Sequence, residues 1–238
     1  MAIIQQVFYW RYVVKRFLAG LRPLIQQLPY KFPRAYDLLV HHGIFRWLGM
    51  AGSEQTALVA KALQHEGWAI EAPIGTGRLT IDLYAQRPNL QVVGIDLAMP
   101  MLRTAQAELA KKGIINVHLI CADMTALPFH ADQFIQIVTL NGLQVVPHAE
   151  TLIDELLRVA EDGCAIAGAA TVDIGLEPRG GVQRLLVRSG MINKLNPEQL
   201  HEIISLTWSK LSANRRGAVY NFLRPRLDRA TGEPIVKE

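Results

Sequence analysis

The chain reads as an α/β protein built on a doubly wound, mostly parallel sheet, and three features predict it. Residues 68–96, WAIEAPIGTGRLTIDLYAQRPNLQVVGID, run from a short apolar strand through a glycine turn and a helical stretch into a second apolar strand. Strand and helix signals then alternate as far as residue 172, the pattern of a parallel sheet covered by helices on both faces. With 238 residues and 50% hydrophobic content the chain holds one sizeable core, and no repeat, low-complexity tract or linker divides it.

The elements follow in order. Ile3, Ile4, Val7, Trp10, Val14, Phe17 and Leu18 recur at helical spacing, and Gly20 and Pro23 end that run. Residues 34–48 and 53–65 read as two more helices, the second with Ser53 as N-cap and Gly67 just past its end. Strands are expected at 68–72, 91–95, 116–121, 134–140 and 164–172, with helices near 77–86, 99–112 and 149–160. The helix over 99–112 is well punctuated: Pro100 in its first turn, Lys111 and Lys112 in its last, Gly113 beyond. A helix near 197–206 follows, then a hairpin pairing 208–213 with 218–223 across Arg215–Gly217.

Charge and cysteines narrow the function classes. A net charge of +4 is too weak to imply nucleic acid, although the residues before Asp37 carry Arg11, Lys15, Arg16, Arg22, Lys31 and Arg34 and no acid. Cys121 and Cys164 sit in apolar surroundings without metal spacing, which points to a reduced, cytoplasmic protein with no metal. His65, His118, His130 and His201 are likewise scattered. Basic residues interrupt the N-terminal apolar run, so it is no signal peptide. The apolar stretch GCAIAGAATV is half of the roughly 20 residues a membrane span needs.

Ligands of a doubly wound sheet bind at the carboxyl ends of its strands, where Glu71, Asp96, Asp123 and Asn141 all fall. Gly75 and Gly77 allow a sharp turn and close approach of a ligand, and an acid ending the second strand accepts a ribose diol. A carboxylate in such a place can also cap the following turn, the competing role for Glu71. A dinucleotide site wants a third glycine, G-x-G-x-x-G, where this chain has Thr80.

The acid and glycines of EAPIGTG at 71–77 instead resemble motif I of class I S-adenosylmethionine-dependent methyltransferases. ICADMTALPF at 120–129 is similar to the third motif of that family, FIQIVTLNGLQVVPH at 134–148 to its fourth-strand motif, and DELLRVAEDGCAIAGAATV at 154–172 to its fifth-strand segment. AYDLLV at 35–40 resembles the Tyr-Asp segment of the lid, and the nearest type is the small-molecule quinone and lipid methylase group. The resemblance implies a Rossmann-like sheet of seven strands with an antiparallel C-terminal hairpin. It implies an N-terminal helical acceptor-side segment, 1–52, before a cofactor-binding domain, 53–238.

It further implies S-adenosyl-L-methionine as cofactor. Asp96 and Leu97 would lie at the ribose, Asp123 and Met124 at the adenine, and Glu71, Pro73, Gly75, Gly77 and Asn141 around the methionine end. Candidate bases are His148, His41, His42 and Tyr36. The acceptor is expected to be a small molecule, apolar or lipid-like. Residues 1–22 have three open roles: a lid, a helix in a homo-oligomer, or peripheral membrane contact. The basic residues of the 173–196 insertion would face an acidic acceptor or plain solvent. Four departures from the family pattern stand out: Pro73 for the first glycine of motif I, Ile135 for an acid, Gln144–Val145 for a His pair, and Glu161–Asp162–Gly163–Cys164 for Pro-Gly-Gly. They keep a second reading open, a catalytically silent member of the fold that binds a partner.

Overall fold

A computed structural model of the chain describes residues 52–172, 195–207, 212–216 and 219–235. The helices expected over 3–18 and 34–48 and nearly all of the 173–196 insertion lie outside them, as do Tyr36, His41 and His42.

Five helices and seven strands are described: α1 (Gly52–Ala62), β1 (Gly67–Glu71), α2 (Ile81–Ala85), β2 (Leu90–Asp96), α3 (Met99–Lys112), β3 (Val117–Cys121), β4 (Phe134–Leu140), α4 (Ala149–Val159), β5 (Ala160–Thr171), α5 (Pro197–Thr207), β6 (Ser212–Arg216) and β7 (Val219–Arg224). The strands form one sheet in the order β3-β2-β1-β4-β5-β7-β6. The first five run parallel, while β7 pairs antiparallel with β5 and with β6. The order reverses between β1 and β4, the switch point at which a doubly wound sheet opens a crevice.

Both faces of the sheet are buried, which is why its strands read as unbroken apolar runs. Ala69, Val92, Val138 and Ala167 face one core with Val59 and Leu63 around α1, Ile81 and Tyr84 of α2 and Leu102 of α3. Ile70, Ile95, Ile137 and Ile166 face the other with Leu152, Ile153 and Leu156 of α4 and Leu200 and Ile204 of α5.

Four boundaries depart from the sequence reading. The helix expected over 77–86 is only Ile81–Ala85, because Gly77 sits at φ 71° and a left-handed residue cannot continue a right-handed helix. The helix α1 already includes Gly52, so Ser53 lies within it rather than capping it. The turn expected before β5 is instead part of that strand: β5 starts at Ala160, and a shift in register between Phe134 and Gln136 absorbs the extra residues. The hairpin is displaced along the chain, with Arg216 opposite Val219.

The edge of the parallel sheet depends on one glycine. Gly168 lies opposite Phe222, and a Cβ there would sit 2.0 Å from the Phe222 ring, which is itself fully buried. Gly168→Ala is therefore expected to cost about 1–3 kcal/mol in urea unfolding, the usual penalty for overpacking a filled core. An unchanged unfolding midpoint would show that the ring has somewhere else to go.

Candidate functional site

The site is built from the loops that follow β1, β2, β3 and β4 at one edge of the sheet. Past the end of β1 the chain stays wedged between its neighbours. The Ala72 amide donates to the Val138 carbonyl at 3.0 Å, and the Ile74 amide donates to the Ile95 carbonyl at 2.8 Å. The loop then turns through two left-handed glycines, Gly75 at φ 58° and Gly77 at φ 71°. They serve differently. A Cβ on Gly77 would strike the Ile81 side chain at 2.3 Å, whereas no described residue lies within 4 Å of one on Gly75, whose outer side is open among them.

Asp96 ties this turn to the next loop. Its Oδ2 accepts the Gly75 amide at 2.9 Å and its Oδ1 accepts the Ala98 amide at 2.8 Å. Burial pushes its carboxyl up, and the backbone amides of Ala98, Gly75 and Leu97 oppose that rise. Each oxygen has a further lone pair, and the residue is only partly buried. Beside it Leu97 is 62% exposed, an apolar side chain held in the open at the mouth of the loop.

The departures in motif I are matched by partners elsewhere. A Cβ on Gly142, after β4, would lie 2.6 Å from the Pro73 ring, and one on Gly94, in β2, would lie 2.5 Å from the Ile74 side chain. Two glycines thus make the room that Pro73 and Ile74 fill, and the loops after β1 and β4 close against each other.

Glu71 is 2% exposed and lies beneath the turn. Its Oε2 accepts hydrogen bonds from the Thr80 hydroxyl and the Tyr84 hydroxyl, both at 2.7 Å. Burial is the main force on this carboxyl and pushes it up to about 8, with the two hydroxyls pulling the other way and Asp96 adding a little repulsion. Tyr84 is raised well above its usual range by burial and by Glu71, so it stays a hydroxyl donor. Glu71 thus accepts two side-chain hydroxyls of α2 and its approach, and no backbone amide of the turn above it is among the hydrogen bonds of its carboxyl. The sequence reading missed Thr80 and Tyr84, although the signal was there: they stand four apart at the start of a helix and face the same way.

Asp123 is exposed, and Thr125 donates to its Oδ1 through both amide and hydroxyl at 2.8 and 2.7 Å, which lowers its carboxyl below the usual value. Met124 packs half-buried against the α4-side core. His148 is exposed at the N-cap of α4 and makes no capping bond with its side chain.

Asn141, just after β4, sits in the left-handed region at φ 59°, a backbone state unusual outside glycine that recurs at functional sites. Its amide donates to the Ala169 carbonyl at 2.7 Å. Its side chain joins a row of buried amides that the sequence reading did not single out. Asn141 Nδ2 donates to Gln55 Oε1 at 3.4 Å, and Gln144 Nε2 donates to Asn141 Oδ1 at 3.3 Å and to Thr171 Oγ1 at 3.5 Å. Gln55 lies on the buried stripe of α1 with Val59 and Ala62, a polar residue at an apolar position, and that was the legible sign. Among the described residues no His, Cys, Asp or Glu cluster could hold a metal ion, and no helix is long and apolar enough to cross a membrane.

A doubly wound sheet with an antiparallel edge pair, a glycine turn after β1 and an acid ending β2 defines the class I methyltransferase fold. Residues 69–163 match the family model described as a methyltransferase domain. The chain is similar to the ubiquinone/menaquinone biosynthesis C-methyltransferase of Syntrophotalea carbinolica, 32% identical over 146 residues that cover 60% of this chain and 57% of that one. It is also similar to the demethylmenaquinone methyltransferase of Roseiflexus castenholzii, 28% identical over 144 residues, 60% of this chain and 58% of the relative. It thus spans somewhat over half the length of these curated relatives. Its fold is shared with phosphoethanolamine N-methyltransferase 2 of Haemonchus contortus, solved with phosphomonomethylethanolamine and S-adenosylhomocysteine: TM-score 0.61, 17% identity, 75% of this chain and 44% of that one. The resemblance to S-adenosylmethionine-dependent methyltransferases holds in both sequence and fold.

The Glu71 carboxyl has a direct consequence for stability. It titrates near 4.5 when exposed and near 8 when folded, so between those values the unfolded chain has lost a proton that the folded chain keeps. Wild-type stability accordingly falls through that window, by up to about 1.4 kcal/mol per pH unit, and levels off above it. Glu71→Gln does not ionise and escapes the fall. Urea unfolding should show the variant gaining on wild type as pH rises from 4.5 to 8. A difference that stays constant with pH would mean that Glu71 is ionised in the folded protein.

Proposed function

We propose that the chain transfers a methyl group from S-adenosylmethionine to a small, ring-bearing acceptor of the quinol type. The observation that carries the cofactor half is Asp96. Its carboxylate is fixed by two backbone amides, keeps free lone pairs, and borders both the open side of Gly75 and the exposed Leu97. That combination fits a ribose diol beside an apolar ring. Asp123, with Oδ1 occupied by Thr125, would offer Oδ2 to the adenine amino group while Met124 and Leu97 flank the ring. Pro73, Gly75, Gly77 and Asn141 would surround the methionine end. Glu71 would act from beneath, its Oε1 accepting no hydrogen bond from the described residues.

When bound, the cofactor supplies an electrophilic methyl group on a cationic sulfonium. The chain's own residues then have little covalent chemistry to do: they align the acceptor, exclude water and, for a ring carbon, help remove a hydroxyl proton. The quinol class rests on the names of the two relatives. His148, exposed after β4, is proposed as the general base. Pro73 supports a second reading, a silent binding protein, since proline removes a backbone amide where the motif has glycine. The fit of Pro73 against Gly142 supports the first reading, because the altered loop is packed rather than broken.

Two measurements test the proposal. Calorimetric titration should show S-adenosylmethionine binding, weakened about tenfold or more in Asp96→Ala by loss of charge-assisted hydrogen bonds of about 1.5–3 kcal/mol. Asp96→Asn keeps the shape and separates loss of the ligand contact from loss of the loop. Unchanged affinity in both variants would remove Asp96 from the site. Second, the protein should methylate demethylmenaquinol, and His148→Ala should lower kcat about a hundredfold with cofactor affinity intact. Cofactor binding without turnover of any quinol would favour the silent reading.

A further inference from the structure

The row of buried amides at the ends of β4 and β5 has a direction, and the direction is fixed from one end. The O and N atoms of an Asn or Gln amide are assigned from their partners. Here one partner is unambiguous. The Thr171 backbone amide is a donor only, and it points at Gln144 Oε1, 3.4 Å away. Gln144 must therefore turn its Nε2 toward Asn141 Oδ1, and Asn141 must turn its Nδ2 toward Gln55 Oε1. The row ends on Gln55 Nε2, which is buried and has no hydrogen-bond partner among the described residues. Gln55 is 3% exposed, so this is an N–H donor removed from water with no described residue to receive it.

We infer that Gln55 is a binding residue whose free Nε2 donates a hydrogen bond to an oxygen of the methyl acceptor, with Asn141, Gln144 and Thr171 holding it in that orientation. The identification of this side with the acceptor rests on the proposed methyl transfer and on the strand order. Asp123, Asp96 and Glu71 lie at the ends of β3, β2 and β1, on one flank of the sheet. Asn141 and Thr171 lie at the ends of β4 and β5, on the other. A nucleoside held between Asp96 and Asp123 leaves the β4–β5 flank for the second substrate. A hydroxyl, phenolate or carbonyl oxygen would complete the unpaired donor, as would a carboxylate oxygen from the cofactor's amino-acid end, and the test separates these two sources.

Gln55→Leu keeps the volume and removes the orphaned donor. With no ligand present it should melt close to wild type, because removal of the unsatisfied Gln55 donor is offset by loss of the acceptor for Asn141 Nδ2. It should bind S-adenosylhomocysteine within twofold of wild type by calorimetry. Its KM for demethylmenaquinol should rise at least tenfold with kcat within threefold. Gln55→Glu, which places an acceptor opposite an acceptor oxygen, should raise KM further. A Gln55→Leu protein whose KM for demethylmenaquinol stays within twofold of wild type would overturn the inference, since the amide would then be structural. A tenfold loss of S-adenosylhomocysteine affinity with KM unchanged would also overturn it, assigning the donor to the cofactor. If wild type does not turn over demethylmenaquinol, the quinol proposal falls by itself. Titration of the S-adenosylhomocysteine complex with 1,4-naphthoquinone then decides the amide row: weaker binding in Gln55→Leu upholds it, and equal binding overturns it.

Discussion

The carboxylate of Asp96 ties the loop after β1 to the loop after β2. It is the last residue of β2, yet one oxygen receives the amide of Gly75 from the loop after β1 and the other receives the amide of Ala98 ahead of α3. Turn, strand end and helix entry are thereby set as a unit, and the shape of the cofactor side follows from that bridge. The bridge also explains the left-handed backbone at Gly75: the chain must turn sharply there for its amide to face Asp96, and its open outer side leaves room for a ligand.

Around that bridge the packing is reciprocal. Pro73 stands where the family pattern has glycine, and the space for it and for Ile74 comes from Gly142 after β4 and Gly94 in β2. A proline in this loop would be damaging if its amide were needed. Here the loop takes its backbone bonds through Ala72 and Ile74 on either side instead. Beneath the loop, Glu71 with Thr80 and Tyr84 replaces the third glycine of a dinucleotide turn by a buried polar contact. That contact costs stability as pH rises.

The sheet was legible because its parallel strands are buried on both faces and so read as apolar runs, and because α3 carries both a proline start and a glycine stop. Elements set by distant partners were not. The start of β5 depends on a register shift against β4, and the shortening of α2 on the conformation of Gly77. Asp96 and Asp123 could be read as strand-end acids from the chain alone. Gln55 could not, because its meaning comes from Thr171, more than a hundred residues away, through two intervening amides. Glu71 was legible as important, while its burial under Tyr84 came from packing that no local pattern encodes.

The central claim is that the Asp96 bridge frames a nucleoside-binding crevice at the β1–β4 switch point. A crystal structure grown with S-adenosylhomocysteine tests this most directly. The account expects the ribose on Asp96, the adenine between Leu97 and Met124, and the sulfur facing Asn141 across the open side of Gly75. A nucleoside found elsewhere, or a loop in which Pro73 fills the space above Gly75 and admits no ligand at saturating concentration, would contradict it.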